Sequence, residues 1–135
     1  MNAANADGDI RPGKDLGSRE FVVSPELVQR YVDILGLDHE WYTGGSPFGG
    51  AVAPALVLGS AEGGFEGDHF SNRFGELWVR QEWQFSRPVA PGDGLRVRAV
   101  IADVYERRDR IIVATEYSME TQSGRKVARS VHHNS

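Results

Sequence analysis

The spacing of hydrophobic positions changes twice along the chain, and those changes divide it. Between Ser24 and Gly36 the apolar residues Leu27, Tyr31, Ile34 and Leu35 recur at helical spacing. Ser24 is a good cap for that helix, Pro25 suits its first turn, Glu26 complements the dipole, and Gly36 ends it. From Pro47 to Glu62 the pattern is different. A Ser-Pro turn and a Gly pair lead into a run of apolar or small residues with no polar stripe. A helix apolar all round is a buried one, so the run predicts a short central helix over 54–62. Pro54 starts it and Gly63-Gly64 stops it. At a rise of about 1.5 Å per residue it is about 13 Å long, too short to cross a membrane. Its free N-terminal N–H groups then lie inside the protein, where a polarised carbonyl could use them.

From Glu76 the period becomes two. Leu77, Val79, Trp83 and Phe85 fall on one face of a strand, with Trp78, Arg80, Glu82 and Gln84 on the other. A second strand carries Leu95, Val97, Ala99 and Ile101 on one face. Arg107-Arg108-Asp109-Arg110 reads as a charged turn, Ile111 to Glu120 as a third strand, and Lys126 to His132 as a fourth after a turn at Ser123-Gly124. Long strands joined by short turns form an antiparallel meander. A further short strand is expected over Arg19–Val23, and residues 1–12 read as a flexible leader ahead of a single domain, 13–135. The class is therefore α+β, a sheet curled around one buried helix, with that helix resting on Leu77, Val79, Leu95 or Val97.

Composition narrows the function. At 135 residues the chain is long enough for one domain with a real core. A net charge of −4 argues against nucleic acid or an anionic membrane as the main partner. Without cysteine there is no disulfide framework, thiolate metal site or Cys nucleophile. Met1 to Lys14 has no apolar core of the kind a signal peptide needs, so a cytoplasmic protein is expected. His132 and His133 are neighbours on a strand and point to opposite faces, so they cannot chelate together, and no metal site is expected. His69 reads as a surface-loop histidine, and no Gly-x-Ser-x-Gly elbow or phosphate loop is present.

Four stretches together resemble the MaoC-like hydratases and dehydratases of the hot-dog fold. They are Phe21 to Leu27 with Tyr31, Ser46 to Pro54, Phe85 to Asp93, and Glu116 to Val127 around Gly124. The resemblance covers about residues 13–132 and implies a curved antiparallel sheet wrapped around the central helix. It also implies a small-molecule acyl thioester as substrate, carried on coenzyme A or a carrier protein with no other cofactor, and a homodimer or a heterodimer with another hot-dog subunit. Family members add or remove water with an Asp and a His five positions apart, and hold the thioester oxygen on a backbone N–H at the start of the buried helix. With Gly36 as anchor those two positions fall on Leu37 and Tyr42; sliding by one brings in Asp38, but then the partner is Thr43. Neither register restores the pair.

Candidate chemistry therefore gathers in the 37–46 loop. Asp38 or His39 is expected as a base, Tyr42 as a hydrogen-bond donor, and Ala55 with Leu56 as the backbone site for the thioester oxygen. The plain alternative is that His39 and Glu40 are solvated while Trp41 and Tyr42 pack a lid. A different enzyme is suggested by Glu62. Hot-dog thioesterases commonly carry a carboxylate on the central helix about seven positions after a Gly pair at its start; Ala55 to Glu62 has that spacing, with Pro54-Ala55 in place of the glycines. Against that, Glu62 could simply cap the helix end, where a carboxylate opposes the dipole. A third reading is a non-catalytic subunit that shapes the tunnel of a partner bearing the Asp and His.

Overall fold

The computed structural model describes residues 10–65 and 77–135. Residues 1–9 of the expected leader, and His69, lie outside the described residues. Ile10 already packs against the core, inside the stretch 1–12 expected to be flexible.

Five strands, β1 (Asp15–Val22), β2 (Trp78–Phe85), β3 (Gly94–Arg107), β4 (Arg110–Thr121) and β5 (Lys126–Asn134), form one antiparallel sheet. Their order is β1-β3-β4-β5-β2. The expected meander is β3-β4-β5, while β2 lies at the far edge beside β5 and β1 closes the other edge beside β3. The β3–β4 hairpin turns at Arg108 and Asp109, both at positive φ (51° and 63°). That backbone matches the twist of the flanking strands and is usually left to Asn-Gly. Leu95, Val97, Ala99 and Ile101 of β3 are all buried, as their alternation predicts.

Helix α1 (Pro25–Leu35) has the ends its sequence predicts. The Ser24 hydroxyl accepts the Leu27 N–H at 3.1 Å, and Gly36 closes the helix in the left-handed conformation. The central helix (Ala55–Glu62) departs from expectation, because it is a 3₁₀ helix. With 3.0 residues per turn, side chains at i and i+3 eclipse, and long 3₁₀ runs are uncommon for that reason. Here every such pair contains a small residue: Ala55 over Leu58, Leu56 over Gly59, Val57 over Ser60, Leu58 over Ala61 and Gly59 over Glu62. The tighter helix is thereby tolerated.

The 3₁₀ period also overturns the expectation of a helix buried on all sides. Val57, Leu58 and Ala61 are buried and belong to the core cluster with Leu95 and Val97, whereas Leu56 is 56% exposed. Nor does the helix rest on Leu77 and Val79, which are both exposed. A register shift between Trp78 and Arg80 bulges β2, and Trp78 then joins Gln81 and Trp83 around one cavity instead of opposing Trp83. Among the described residues, no helix is long and apolar enough to cross a membrane.

Two consequences can be measured. Leu58, 1% exposed, should lose about 2–5 kcal/mol on substitution by Ala, while Leu56→Ala should cost about 1 kcal/mol or less, read from denaturant midpoints. His133, whose Nδ1 shares a 2.9 Å hydrogen bond with the Tyr105 hydroxyl, is held below the usual imidazole range, chiefly by burial. The folded protein thus keeps it neutral where the unfolded chain binds a proton. This contribution to stability is complete above the unfolded value near about 6.5 and falls as pH drops through it. The melting temperature should decline between about pH 7.5 and 5.5, and His133→Gln should flatten that decline.

Candidate functional site

The 3₁₀ period gives the central helix two working faces, and each opens on its own cavity. Ala55 and Leu58, one turn apart, wall a cavity of about 390 Å³ with Trp41, Tyr42, Phe48, Val52 and the segment Phe85–Val89. Leu56, Gly59 and Glu62, likewise one turn apart, wall a second cavity of about 470 Å³ with Tyr31, Leu35, Trp78, Gln81, Trp83 and His132. The two share no lining residue.

The first cavity is built by backbone ties between loops. The Val52 N–H donates to the Trp41 carbonyl at 2.8 Å, and the Ala53 N–H donates to the Val89 carbonyl at 2.7 Å. These bonds set the helix start between the 40–42 turn (Glu40–Tyr42) and the 85–89 segment. Trp41 packs edge-on against Phe48 at 5.7 Å. The amides of Ala55 and Leu56 precede the first bond of the helix, Val57 N–H to the Pro54 carbonyl at 3.0 Å. Ala55 lines this cavity and Leu56 lines the other. Tyr42 lines the first cavity; Asp38 and His39 are not among its lining residues. His39 instead caps the short turn, its Nδ1 accepting the Trp41 N–H at 3.2 Å.

The second cavity holds a polar knot in an apolar wall. Glu62 Oε1 accepts hydrogen bonds from Gln81 Nε2 (2.9 Å) and from the Ser130 hydroxyl, and Oε2 meets His132 Nδ1 at 3.0 Å. The Glu62 side chain is only 10% exposed, so it does not cap the helix end in solvent. Trp78 stacks on His132, with ring centres 5.4 Å apart. Tyr31 and Ser60 share a hydroxyl–hydroxyl bond of 3.0 Å. The sequence pattern singled out Glu62 but passed over His132. The available signal was parity: Ser130 and His132 lie two apart on β5 and so face the same way.

No protein-family model matches the chain, and no curated protein sequence matches it. Solved structures do. One chain of the C-terminally truncated HadBC complex, a (3R)-hydroxyacyl-ACP dehydratase from Mycobacterium tuberculosis, is 25% identical, with 93% of this chain and 96% of that one covered and a TM-score of 0.81. The MaoC-like dehydratase from Rhodospirillum rubrum is 20% identical, with 94% and 92% covered and a TM-score of 0.70. The ChsH1–ChsH2 complex from Mycobacterium tuberculosis is 14% identical, with 98% and 89% covered and a TM-score of 0.71. This is a hot-dog fold of the MaoC-like type.

Within the hot-dog frame, the cavity beside Tyr42 and Ala55 is the one at the start of the central helix. The 3₁₀ geometry sets Glu62 on a different face of the helix from Ala55. Seven steps of about 100° return to the same face of an α-helix, but seven of about 120° land a third of a turn away. Glu62 accordingly serves the other cavity. Its hold on β2 and β5 also ties the helix to the sheet. Ser130 is fully buried, so Ser130→Ala should remove one donor from an enclosed carboxylate and lower stability by about 1–3 kcal/mol in chemical denaturation.

Proposed function

We propose that this chain is a hot-dog subunit of an acyl-thioester dehydratase or hydratase, and that a second hot-dog subunit bearing an Asp and a His supplies the acid–base step. One observation carries the reading. The cavity at the helix start has a mostly apolar wall that includes Tyr42 and Ala55, but no carboxylate or imidazole among its described lining residues. Such a site can seat an acyl chain and polarise a carbonyl, yet has nothing suited to moving the proton of water near neutral pH. Tyrosine, with a usual pKa near 10, donates a hydrogen bond well and is a weak base.

Association with another subunit has its own support. β2 is an edge strand with Trp78 and Val79 exposed, and an unpaired edge accepts another strand. Ile34, Leu35 and Leu56 are also exposed apolar side chains. Both HadBC and ChsH1–ChsH2 are complexes by name. Arg87, at the wall of the first cavity, offers a cation to the phosphates of a coenzyme A or carrier arm.

The test is hydration of a panel of enoyl thioesters by the purified chain, alone and mixed with a hot-dog subunit that carries the Asp and His. Activity only in the mixture, with a mixed complex in light scattering, is the expected result. Turnover by the chain alone that falls by about 10²–10⁴-fold in Asp38→Asn or Tyr42→Phe would overturn the reading and establish a rewired site.

A further inference from the structure

We propose that the acyl group seated in the first cavity carries an aromatic ring, held between the Trp41–Phe48 corner and the ring of Phe85. What the ring is attached to rests on the thioester reading above; the ring itself rests on the cavity wall. That wall is divided by chemistry. One part is aliphatic and buried, formed by Val52, Ala53, Leu58 and Val89. The other is aromatic and open to solvent: Trp41 is 37% exposed, Phe48 59% and Phe85 45%, with Tyr42 on the same wall. Apolar side chains exposed singly need no explanation, but a cluster of them around a concave site marks a binding surface.

The rings are arranged for a flat partner. Trp41 and Phe48 meet at 5.7 Å with their planes 86° apart, so together they offer one ring face and one ring edge at right angles. An aryl ring laid in that corner stacks on the face and receives the edge, the two arrangements that aromatic quadrupoles favour. A methylene chain has no quadrupole to match either. Phe85 stacks on Trp83, with ring centres 5.2 Å and planes 7° apart. Trp83 walls the other cavity, which leaves the second face of Phe85 for the first. The corner is also held in place. The Val52 N–H fixes the Trp41 carbonyl, the Phe48 N–H donates to the Ser46 hydroxyl at 3.2 Å, and that hydroxyl donates to the Gly50 carbonyl. A loop braced in this way has less freedom to lose when a ligand arrives.

Polarity and size agree with that ligand. Tyr42, Ser86 and Arg87 supply the polar side chains of the wall, and none of its described residues is acidic, so nothing there repels the negative face of a ring. The volume of about 390 Å³ is on the scale of small-molecule sites. Coenzyme A brings a flat ring of its own, the adenine, and the experiment separates that ring from one on the acyl group.

Two pantetheine thioethers of equal carbon count, phenylpropyl and n-nonyl, distinguish ring recognition from plain burial. Neither is hydrolysable, and the nonyl chain has the larger apolar surface, so burial alone ranks it first. In calorimetric titration of the full-length chain, the phenylpropyl thioether should instead bind about 3–10-fold more tightly. Phe48→Leu and Phe85→Leu keep an apolar wall, and each should weaken the phenylpropyl thioether by about 3–10-fold while changing the nonyl one by less than about twofold. Both positions are exposed, so the variants should melt with the parent. The adenosine bisphosphate portion of coenzyme A should not displace the phenylpropyl thioether. A nonyl thioether bound as tightly, a preference untouched by both substitutions, displacement by the bisphosphate, or no binding of the phenylpropyl thioether would each overturn the proposal. Ring preference is read from binding by the single chain and the subunit reading from hydration by the mixture, so the two fail separately.

Discussion

The period of the central helix is the constraint from which the rest of the arrangement follows. At three residues per turn its side chains stack in ridges, and stacking is tolerable only when one member of each pair is small. Ala55, Gly59, Ser60 and Ala61 meet that condition across the whole element. The ridges then divide the labour. Val57, Leu58 and Ala61 reach the core, Ala55 and Leu58 wall one cavity, and Leu56, Gly59 and Glu62 wall the other. An α-helical path would rotate Glu62 back under Ala55 and merge the two sites.

Fixing such a helix on a sheet takes more than apolar contact, because small side chains bury little area. The Glu62 network supplies the tie. One carboxylate collects donors from Gln81 on β2 and from Ser130 and His132 on β5, two strands that are neighbours at the sheet edge. A buried carboxylate left without partners would cost several kcal/mol, so the donors must come as a set. The same set that satisfies Glu62 also orients the imidazole of His132.

The two cavities differ in what they lack. The first is lined by Ala55 and Tyr42 with no carboxylate or imidazole among its described residues, and the second holds the His132 imidazole against Glu62 in an apolar shell. Distance along the chain does not separate them; Ala55 and Leu56 are consecutive residues on different walls. Trp78 belongs both to the exposed edge strand β2 and to the wall of the second cavity.

Local chemistry was legible in the sequence wherever a residue acts on its near neighbours. Ser24, Pro25 and Gly36 bound α1 because capping is a matter of three or four residues. Leu95, Val97, Ala99 and Ile101 declare the buried face of β3 because strand parity is fixed by the backbone. The absence of an Asp and His at the positions of Leu37 and Tyr42 was equally plain. What the pattern could not carry is what depends on partners far along the chain. An apolar run does not distinguish a 3₁₀ from an α-helix, and one bulge in β2 moved Trp78 to the face its alternation denied it. Glu62 and His132 are 70 residues apart, and only the pairing of β2 with β5 brings Gln81, Ser130 and His132 around the carboxylate. Sequence determined the elements and their inward faces through short-range sterics and solvation. Tertiary structure alone decided the site, because a buried charge selects its partners from whichever strands the sheet sets beside it.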